Sequence, residues 1–123
     1  SEKAECTICA VGVCLFEALA AAEELQKEGI LISVIDTYSI KPLDEETILR
    51  LAAKSKRVVT VEDHYLEGGL GEAINSALIG KDIKVTNLAV RKLPKSGSVE
   101  KLMEFTEIDK AAIIKTVKQI IKN

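Results

Sequence analysis

Apolar residues follow two different spacings that alternate along the chain. Short and nearly continuous apolar runs, of which CTICAV is the first, are typical of strands buried on both faces. These strands are predicted at residues 6–11, 31–36, 57–62 and 83–90. Between the runs, apolar residues recur every three or four positions, as they do in amphipathic helices. This alternation predicts βαβ units, and therefore a parallel sheet with helices on both faces.

The helical segments complete the predicted architecture. They are expected at residues 13–28, after Pro42 and Asp44, at 72–79, at 99–105, and from the cap residue Asp109 onward. Gly29 is expected to end the first helix, because glycine readily adopts the left-handed conformation found there. The positions that helical spacing places together are Leu15, Leu19, Ala22 and Leu25, then Ile48, Leu51 and Ala52, then Ala73, Ile74, Ala77 and Leu78, and finally Ile113, Val117 and Ile120. The fold class predicted is α/β, a three-layer αβα sandwich with a mostly parallel sheet of four or five strands.

Length and charge narrow the classes of protein to consider. A length of 123 residues predicts a single domain, residues 1–123, with a core of Ile, Val, Leu and Ala because only 3% of the residues are aromatic. The net charge of −2 argues against a nucleic-acid-binding surface. No apolar run approaches the roughly 20 residues of a membrane span, and no signal-peptide layout is present. We therefore expect a cytoplasmic protein without nucleic-acid or membrane partners.

Three cysteines, Cys6, Cys9 and Cys14, lie close together in the sequence. An odd number is a poor basis for a set of disulfides. The CxxC spacing of Cys6 and Cys9 has no second pair that would complete a zinc site. On a strand, an offset of three residues places Cys6 and Cys9 on opposite faces of the sheet. We interpret all three as small buried apolar residues in a reducing compartment.

The segment VEDHYLEGGLGEA, residues 61–73, joins the third predicted strand to a helix. Open parallel sheets bind ligands beyond the carboxyl ends of their strands, and backbone amides at a helix start suit an anion. Gly12, Gly69 and Gly71 are therefore candidates for an anion site. The GxGxxG pattern is incomplete, however, because Ile74 takes its third glycine position, and the acidic residues of the segment would repel a phosphate. We favour the alternative that the glycines let the backbone approach a neighbouring surface closely.

Glu62, Asp63 and His64 are the candidates for acid–base chemistry or metal binding. Adjacent side chains on an extended segment point in opposite directions, so neighbours in sequence are poor catalytic partners. A metal site would need further ligands, of which Asp36 is the only obvious one. No convincing nucleophile accompanies these residues, so we expect no catalysis by this chain alone.

The order of several motifs is similar to that of the transketolase C-terminal domain. The matching segments are GVCLFEALAAAEELQKEGI at residues 12–30, SIKPLDEETI at 39–48, VTVEDHYLEGGLGEA at 59–73 and KLPKSG at 92–97. The family shows a TIKPLD-like turn, then VEDHY…EGGxGEA, then a strand and a turn similar to xVPxSG. The 2-oxo acid dehydrogenase β subunits and deoxyxylulose-phosphate synthase share the fold and a looser VE…GGxG signature, but they lack the EDHY form.

This resemblance implies part of an enzyme that transfers a two-carbon ketol unit between sugar phosphates in the pentose phosphate pathway. The whole enzyme uses thiamine diphosphate (thiamine pyrophosphate) and Mg²⁺ or Ca²⁺, which the family holds in two preceding domains at a dimer interface. No catalytic, cofactor-binding or metal-binding residue is therefore carried over to this chain. The family domain also has an antiparallel edge strand before the first strand found here. We expect a fragment or separate subunit of a homodimeric enzyme, whose partners are the remaining domains or subunit.

The resemblance leads us to interpret the segment after the third strand as a docking surface for a neighbouring domain or subunit. The residues assigned to this docking segment are Glu62, Asp63, His64, Gly68, Gly69 and Gly71. Three alternatives remain open. They are a regulatory module that binds a nucleotide or phosphate at the strand ends, an independent enzyme that uses His64, and the equivalent domain of a related thiamine enzyme.

Overall fold

In the part of the chain that the structure describes, four parallel strands form a sheet. The computed structural model describes residues 4–10, 14–37, 45–62, 70–89 and 110–122. Its strands are β1 (Cys6–Ala10), β2 (Ile32–Asp36), β3 (Arg57–Glu62) and β4 (Lys84–Ala89). Their order across the sheet is β2-β1-β3-β4, and every neighbouring pair is parallel. The predicted parallel sheet is therefore confirmed, and β3 has the predicted bounds.

Helices cover both faces of this sheet. They are α1 (Cys14–Lys27), α2 (Glu45–Ser55), α3 (Leu70–Leu78) and α4 (Lys110–Lys122). Helices α1 and α4 pack on one face, and α2 and α3 pack on the other. This confirms the α/β class and the three-layer αβα arrangement. The helix predicted at residues 99–105 and the cap residue Asp109 lie outside the described residues.

Alternating side chains of the two central strands supply two separate cores. Cys6 and Val59 belong to the core under α1 and α4, whereas Cys9 and Val58 belong to the core under α2 and α3. All four residues are fully buried. The cysteines of β1 therefore lie on opposite faces of the sheet, as predicted. The same period of two places Glu62, at the end of β3, on the face that α2 and α3 cover.

The buried face of α1 differs from the predicted one. Helical spacing grouped Leu15, Leu19, Ala22 and Leu25, but the residues that the helix buries are Cys14, Ala18, Ala21 and Leu25. Leu19 is 48% exposed. The buried row consists mainly of small residues, which allow the helix to lie close to the sheet and to α4. Close packing of small side chains therefore decided how α1 is rotated, and the largest apolar residues did not.

The end of α1 is formed by glycine, as predicted. Gly29 has a φ of +82°, in the left-handed region that glycine adopts without steric strain. The Ile30 N–H donates to the Leu25 carbonyl oxygen over 2.9 Å, and the Gly29 N–H donates to the Gln26 carbonyl oxygen over 2.9 Å. This pair of hydrogen bonds is a Schellman motif, which satisfies carbonyl groups at the helix end.

Candidate docking site at the carboxyl edge of the sheet

The carboxyl ends of the strands lie along one edge of the sheet. Ala10, the last residue of β1, pairs with Asp36 of β2 on one side and with Val61 of β3 on the other. After β1 the chain continues into α1 on one face, whereas after β3 it continues into α3 on the opposite face. Open α/β sheets bind ligands where neighbouring connections diverge in this way. The junction of β1 and β3 is therefore the position to examine for a site.

A buried hydrogen bond at this edge joins Glu62 to Gly71. The Gly71 N–H donates to Glu62 Oε2 over 2.6 Å, and only 8% of the Glu62 surface is exposed. Gly71 is the second residue of α3, which begins two residues before its predicted start. Its amide is one of those that have no acceptor within the helix, and a carboxylate there also interacts favourably with the helix dipole. Glu62 thus caps α3 from the end of β3.

Gly71 lets the start of α3 pass very close to β4. A Cβ atom at Gly71 would lie 2.9 Å from Asn87 Oδ1, 3.0 Å from Asn87 Cγ and 3.2 Å from Glu62 Oε2. These separations are shorter than ordinary van der Waals contacts, so a side chain has no room. The close backbone approach that the sequence suggested is present at this glycine, and the surface that it approaches is β4 of the same domain. Docking of Gly71 against another domain stays a prediction.

Asn87 is held from the adjacent strand. Thr60 Oγ1 donates a hydrogen bond to Asn87 Oδ1 over 2.6 Å, and the two residues are register partners in β3 and β4. The sequence analysis did not identify this pair. An available signal was the presence of asparagine within a predicted strand, where this residue type is depleted. The identity of its partner depends on strand register, which the separate strand patterns do not specify.

On the other side of β1, Thr37 binds the last carbonyl group of this strand. Its backbone N–H and its Oγ1 both donate to the Ala10 carbonyl oxygen, each over 3.0 Å. Thr37 is buried, whereas Asp36 beside it is exposed. Asp36 and Glu62 are the last residues of β2 and β3 at the same edge, but the Glu62 carboxylate is directed to Gly71. The last carbonyl group of β1 and the Gly71 amide in the first turn of α3 are therefore both hydrogen-bonded to side chains of this domain.

Only part of the predicted site lies within the described residues. Outside them are Gly12, Asp63, His64, Gly68 and Gly69. Glu62 and Gly71 are described, and they contact each other. The Gly71 amide, which was a candidate anion ligand, already binds the Glu62 carboxylate. A nucleotide or phosphate at this amide would have to displace that carboxylate and would be repelled by its charge, so the geometry argues against such a site.

The three cysteines do not have the properties of nucleophiles. Cys6, Cys9 and Cys14 carry reduced thiol groups with no disulfide between them, and all three are fully buried. Burial raises the pKa of Cys6 and of Cys9 to about 12. The positive charge of Arg57 lowers the pKa of Cys6, but this effect is smaller than that of burial. Such thiols stay protonated near neutral pH, and the thiolate is the reactive form. Their interpretation as small buried apolar residues is therefore confirmed.

The described residues do not fit a divalent metal or thiamine diphosphate. In these parts of the chain, no three His, Cys, Asp or Glu side chains come together as metal ligands. At the start of α3, the Glu62 carboxylate lies where a diphosphate would need hydrogen-bond donors. Within the same ranges, the structure contains no helix of the length and hydrophobicity that a bilayer crossing requires.

Comparisons with known proteins agree with the motif order. The family described as "Transketolase, C-terminal domain" matches residues 1–113. The chain is 47% identical to transketolase from Mus musculus and 49% identical to transketolase from Homo sapiens. Each alignment covers 98% of this chain but 20% of the relative. The chain therefore spans about a fifth of the length of these curated relatives.

A solved structure gives the same result for the fold. A protein described as "Split gene transketolase, inactive beta4 tetramer" superposes with a TM-score of 0.83 at 30% sequence identity. The match covers 96% of this chain and 39% of that chain. Sequence, strand order and fold are thus consistent with one another. Because the family match covers nearly the whole chain, the chain belongs to the family of transketolase C-terminal domains.

Proposed function

We propose that this chain is the non-catalytic C-terminal domain of a transketolase, and that it supports domain packing and dimer assembly of the whole enzyme. The whole enzyme, in this proposal, is cytoplasmic and transfers a two-carbon ketol unit between sugar phosphates in the pentose phosphate pathway. Thiamine diphosphate and Mg²⁺ or Ca²⁺ bind to the other domains. Our proposal gives this chain a supporting role in assembly and assigns the chemistry to its neighbours.

The observation that carries this proposal is the hydrogen bond between the Gly71 amide and the Glu62 carboxylate, over 2.6 Å. It occupies the edge of the sheet at which α/β folds commonly bind small ligands. An edge that its own carboxylate has filled is poorly suited to a phosphate-bearing ligand, but it remains suited to contact with another protein surface. The length of the relatives supports the same view, since this chain matches 20% of them and leaves most of the enzyme to other domains.

Within this proposal, the docking segment has two kinds of residue. Glu62 and Gly71 support it from inside the domain, since both are buried and bonded to each other. The contacts with the neighbouring domain or subunit are assigned to Asp63, His64, Gly68 and Gly69. The proposed docking function therefore depends on the polar side chains of Asp63 and His64, and substitutions at these two positions leave Glu62 and Gly71 themselves unaltered.

The test compares two double variants of the complete enzyme. Asp63→Ala with His64→Ala removes the proposed contacts, and the dimer dissociation constant should rise about 10-fold or more, as for interface anchor residues. Lys81→Ala with Asp82→Ala is the matched control, because it also removes two polar side chains, here exposed ones before the amino end of β4. Sedimentation velocity over a range of concentrations measures both constants. Equal constants for the two double variants would refute the docking role.

A second experiment tests whether this chain lacks activity of its own. Purified without the other domains, it should neither convert sugar phosphates nor bind thiamine diphosphate in a calorimetric titration. Titration with phosphate or ATP, followed by the Gly71 amide resonance, should leave that resonance in place because Glu62 already binds the amide. Turnover by the chain alone would revive the independent enzyme, and a saturable shift of the Gly71 resonance would support the regulatory module.

A further inference from the structure

The hydrogen bond between Glu62 and Gly71 joins two distant points of the backbone. Glu62 is the last residue of β3, and Gly71 lies in the first turn of α3. The donor and acceptor are nine positions apart in the sequence and 2.6 Å apart in space. The carboxylate therefore sets the distance between the point where the chain leaves the sheet and the point where it enters the helix. The docking segment is attached to the domain at these two points.

On the helix side of this junction, the start of α3 packs closely against β4. Gly71 is buried directly against Asn87, with no room for a Cβ atom between them. Thr60 holds Asn87 over 2.6 Å, and Thr60 is itself fully buried. The start of α3 thus rests on a side chain that cannot move freely, while Glu62 holds its amide. Both supports depend on β3: Glu62 acts directly, and Asn87 of β4 is held by its hydrogen bond from Thr60.

We propose that Glu62 is a positioning residue for the assembly of the enzyme, and that it acts through the Gly71 amide without contacting the partner itself. This inference rests on the proposed docking function. With the hydrogen bond in place, the end of β3 and the start of α3 are presented to the neighbouring domain or subunit in one arrangement. Without this hydrogen bond, the start of α3 loses its cap and can adopt several arrangements. The neighbouring domain or subunit then binds only the fraction of molecules that have the arrangement suited to binding. Loss of such preorganisation weakens binding.

The chemistry of the bond defines informative substitutions. Glu62→Gln keeps the length of the side chain and an acceptor oxygen but removes the negative charge. Glu62→Asp keeps the charge but shortens the side chain by one methylene group, so the carboxylate no longer reaches the Gly71 amide. Glu62→Ala removes the acceptor altogether. Comparison of the Gln and Asp variants therefore separates the reach of the acceptor from its charge, even if the Ala variant does not fold.

The experiment measures the dimer dissociation constant of the complete enzyme for each variant, well below its melting temperature. Glu62→Gln should stay within about 3-fold of the unaltered enzyme, whereas Glu62→Asp and Glu62→Ala should be weakened about 10-fold, the effect expected for loss of one charge-assisted hydrogen bond. Glu46→Ala serves as the control, because Glu46 is an exposed glutamate in the first turn of another helix. The Gly71 amide proton should exchange faster with solvent in the Asp and Ala variants only.

The outcomes separate this inference from the function on which it rests. A merely structural role would lower the melting temperature of the Asp variant and leave its dissociation constant unchanged, which would overturn the inference. A Gln variant as weak as the Ala variant would overturn it too, because the acceptor would then not be what matters. If Asp63→Ala with His64→Ala weakens the dimer but Glu62→Asp does not, only the positioning role fails. If neither change weakens the dimer, the proposed docking function fails as well.

Discussion

Replacing Gly71 by alanine tests the packing between α3 and β4 most directly. The new Cβ atom would lie 2.9 Å from Asn87 Oδ1 and 3.0 Å from Asn87 Cγ. Asn87 is restrained, because Thr60 donates a hydrogen bond to its Oδ1 over 2.6 Å. On the other side, Glu62 Oε2 would be 3.2 Å away, and this atom accepts the Gly71 hydrogen bond. Alanine would therefore displace two side chains that each make a short hydrogen bond.

Opposing effects determine the size of the expected change in stability. Alanine is favoured over glycine inside a helix by about 1 kcal/mol. Against this, inserting a methyl group into a filled site costs about 1–3 kcal/mol. Disturbing each of the two hydrogen bonds, Thr60 to Asn87 and Gly71 to Glu62, costs about a further 1 kcal/mol. Crowding outweighs helix propensity, so we expect Gly71→Ala to lower the free energy of unfolding by about 2–4 kcal/mol.

Urea unfolding of the chain, followed by circular dichroism, measures this free energy. The crowding is tested with Asn87→Ala, which removes both Asn87 atoms that the new Cβ would approach. In that background, Gly71→Ala should cost less than about 0.5 kcal/mol, giving a coupling energy of at least about 1.5 kcal/mol between the two positions. Gly80→Ala is the control, because Gly80 has a φ of +79° and open space around its Cβ position. Gly80→Ala should lower the free energy of unfolding by about 1 kcal/mol through backbone strain, and by the same amount in the Asn87→Ala background.

Two results would refute this reasoning. A Gly71→Ala chain as stable as the unaltered one, or more stable, would mean that helix propensity outweighs crowding. An equal loss with and without the Asn87 side chain would mean that the loss does not arise from contact with β4. In either case, close packing against Asn87 would not be what fixes the start of α3. The positioning role of Glu62 depends on that packing and would have to be reconsidered.

Burial and backbone conformation lead to three further predictions. Cys6, Cys9 and Cys14 should resist labelling by iodoacetamide at pH 8 until the chain is unfolded, because all three are buried. In addition, a pKa of about 12 leaves the thiols of Cys6 and Cys9 almost entirely protonated at that pH. Rapid labelling of the folded chain would contradict this prediction. Since folding raises the pKa of these two thiols from 9.0, their contribution to stability should be complete below pH 9 and should fall as the pH rises toward about 12, as urea unfolding across that range would measure. Gly29→Ala should destabilise the chain by about 1 kcal/mol, and Gly29→Asn by less, because asparagine tolerates the left-handed conformation better; equal stability of all three chains in urea would show that the φ of +82° carries no strain.

The carboxyl edge of this sheet differs from the same edge in many other α/β proteins. Such edges often leave helix-start amides free for phosphate groups. Here a glutamate at the end of β3 fills one of these positions, and Thr37 satisfies the carbonyl group at the end of β1. One amide that commonly binds a ligand in this fold is thus occupied by a side chain of the domain itself. This is the physical reason for seeking the role of the domain in protein contacts.

The sequence predicted the strands and helices well because their signals are local. The β-branched run RVVTVE predicts a strand from its own composition, and Gly29 predicts a helix end from its own conformational preference. Neither prediction needs information about distant residues. The opposite orientation of Cys6 and Cys9 followed from the period of a strand. The motif order was specific enough to indicate the family, and the family match confirmed it.

The sequence was less informative where a choice depended on packing between elements. Spacing in α1 allowed two neighbouring faces, and the structure buries the face with Ala18 and Ala21 while Leu19 is 48% exposed. Hydrophobicity alone favoured the leucines. The smaller side chains won because they bring the helix closer to the sheet and to α4.

By itself, then, the sequence determined the fold class, the order of strands and helices along the chain and the family. Only the tertiary structure decided what Gly71 approaches, because its neighbours Glu62 and Asn87 are separated from it by nine and sixteen positions and meet it only when β3 and β4 pair in register. Local patterns specify which elements form. Contacts between elements depend on register and on side-chain volume, which are properties of the assembled domain.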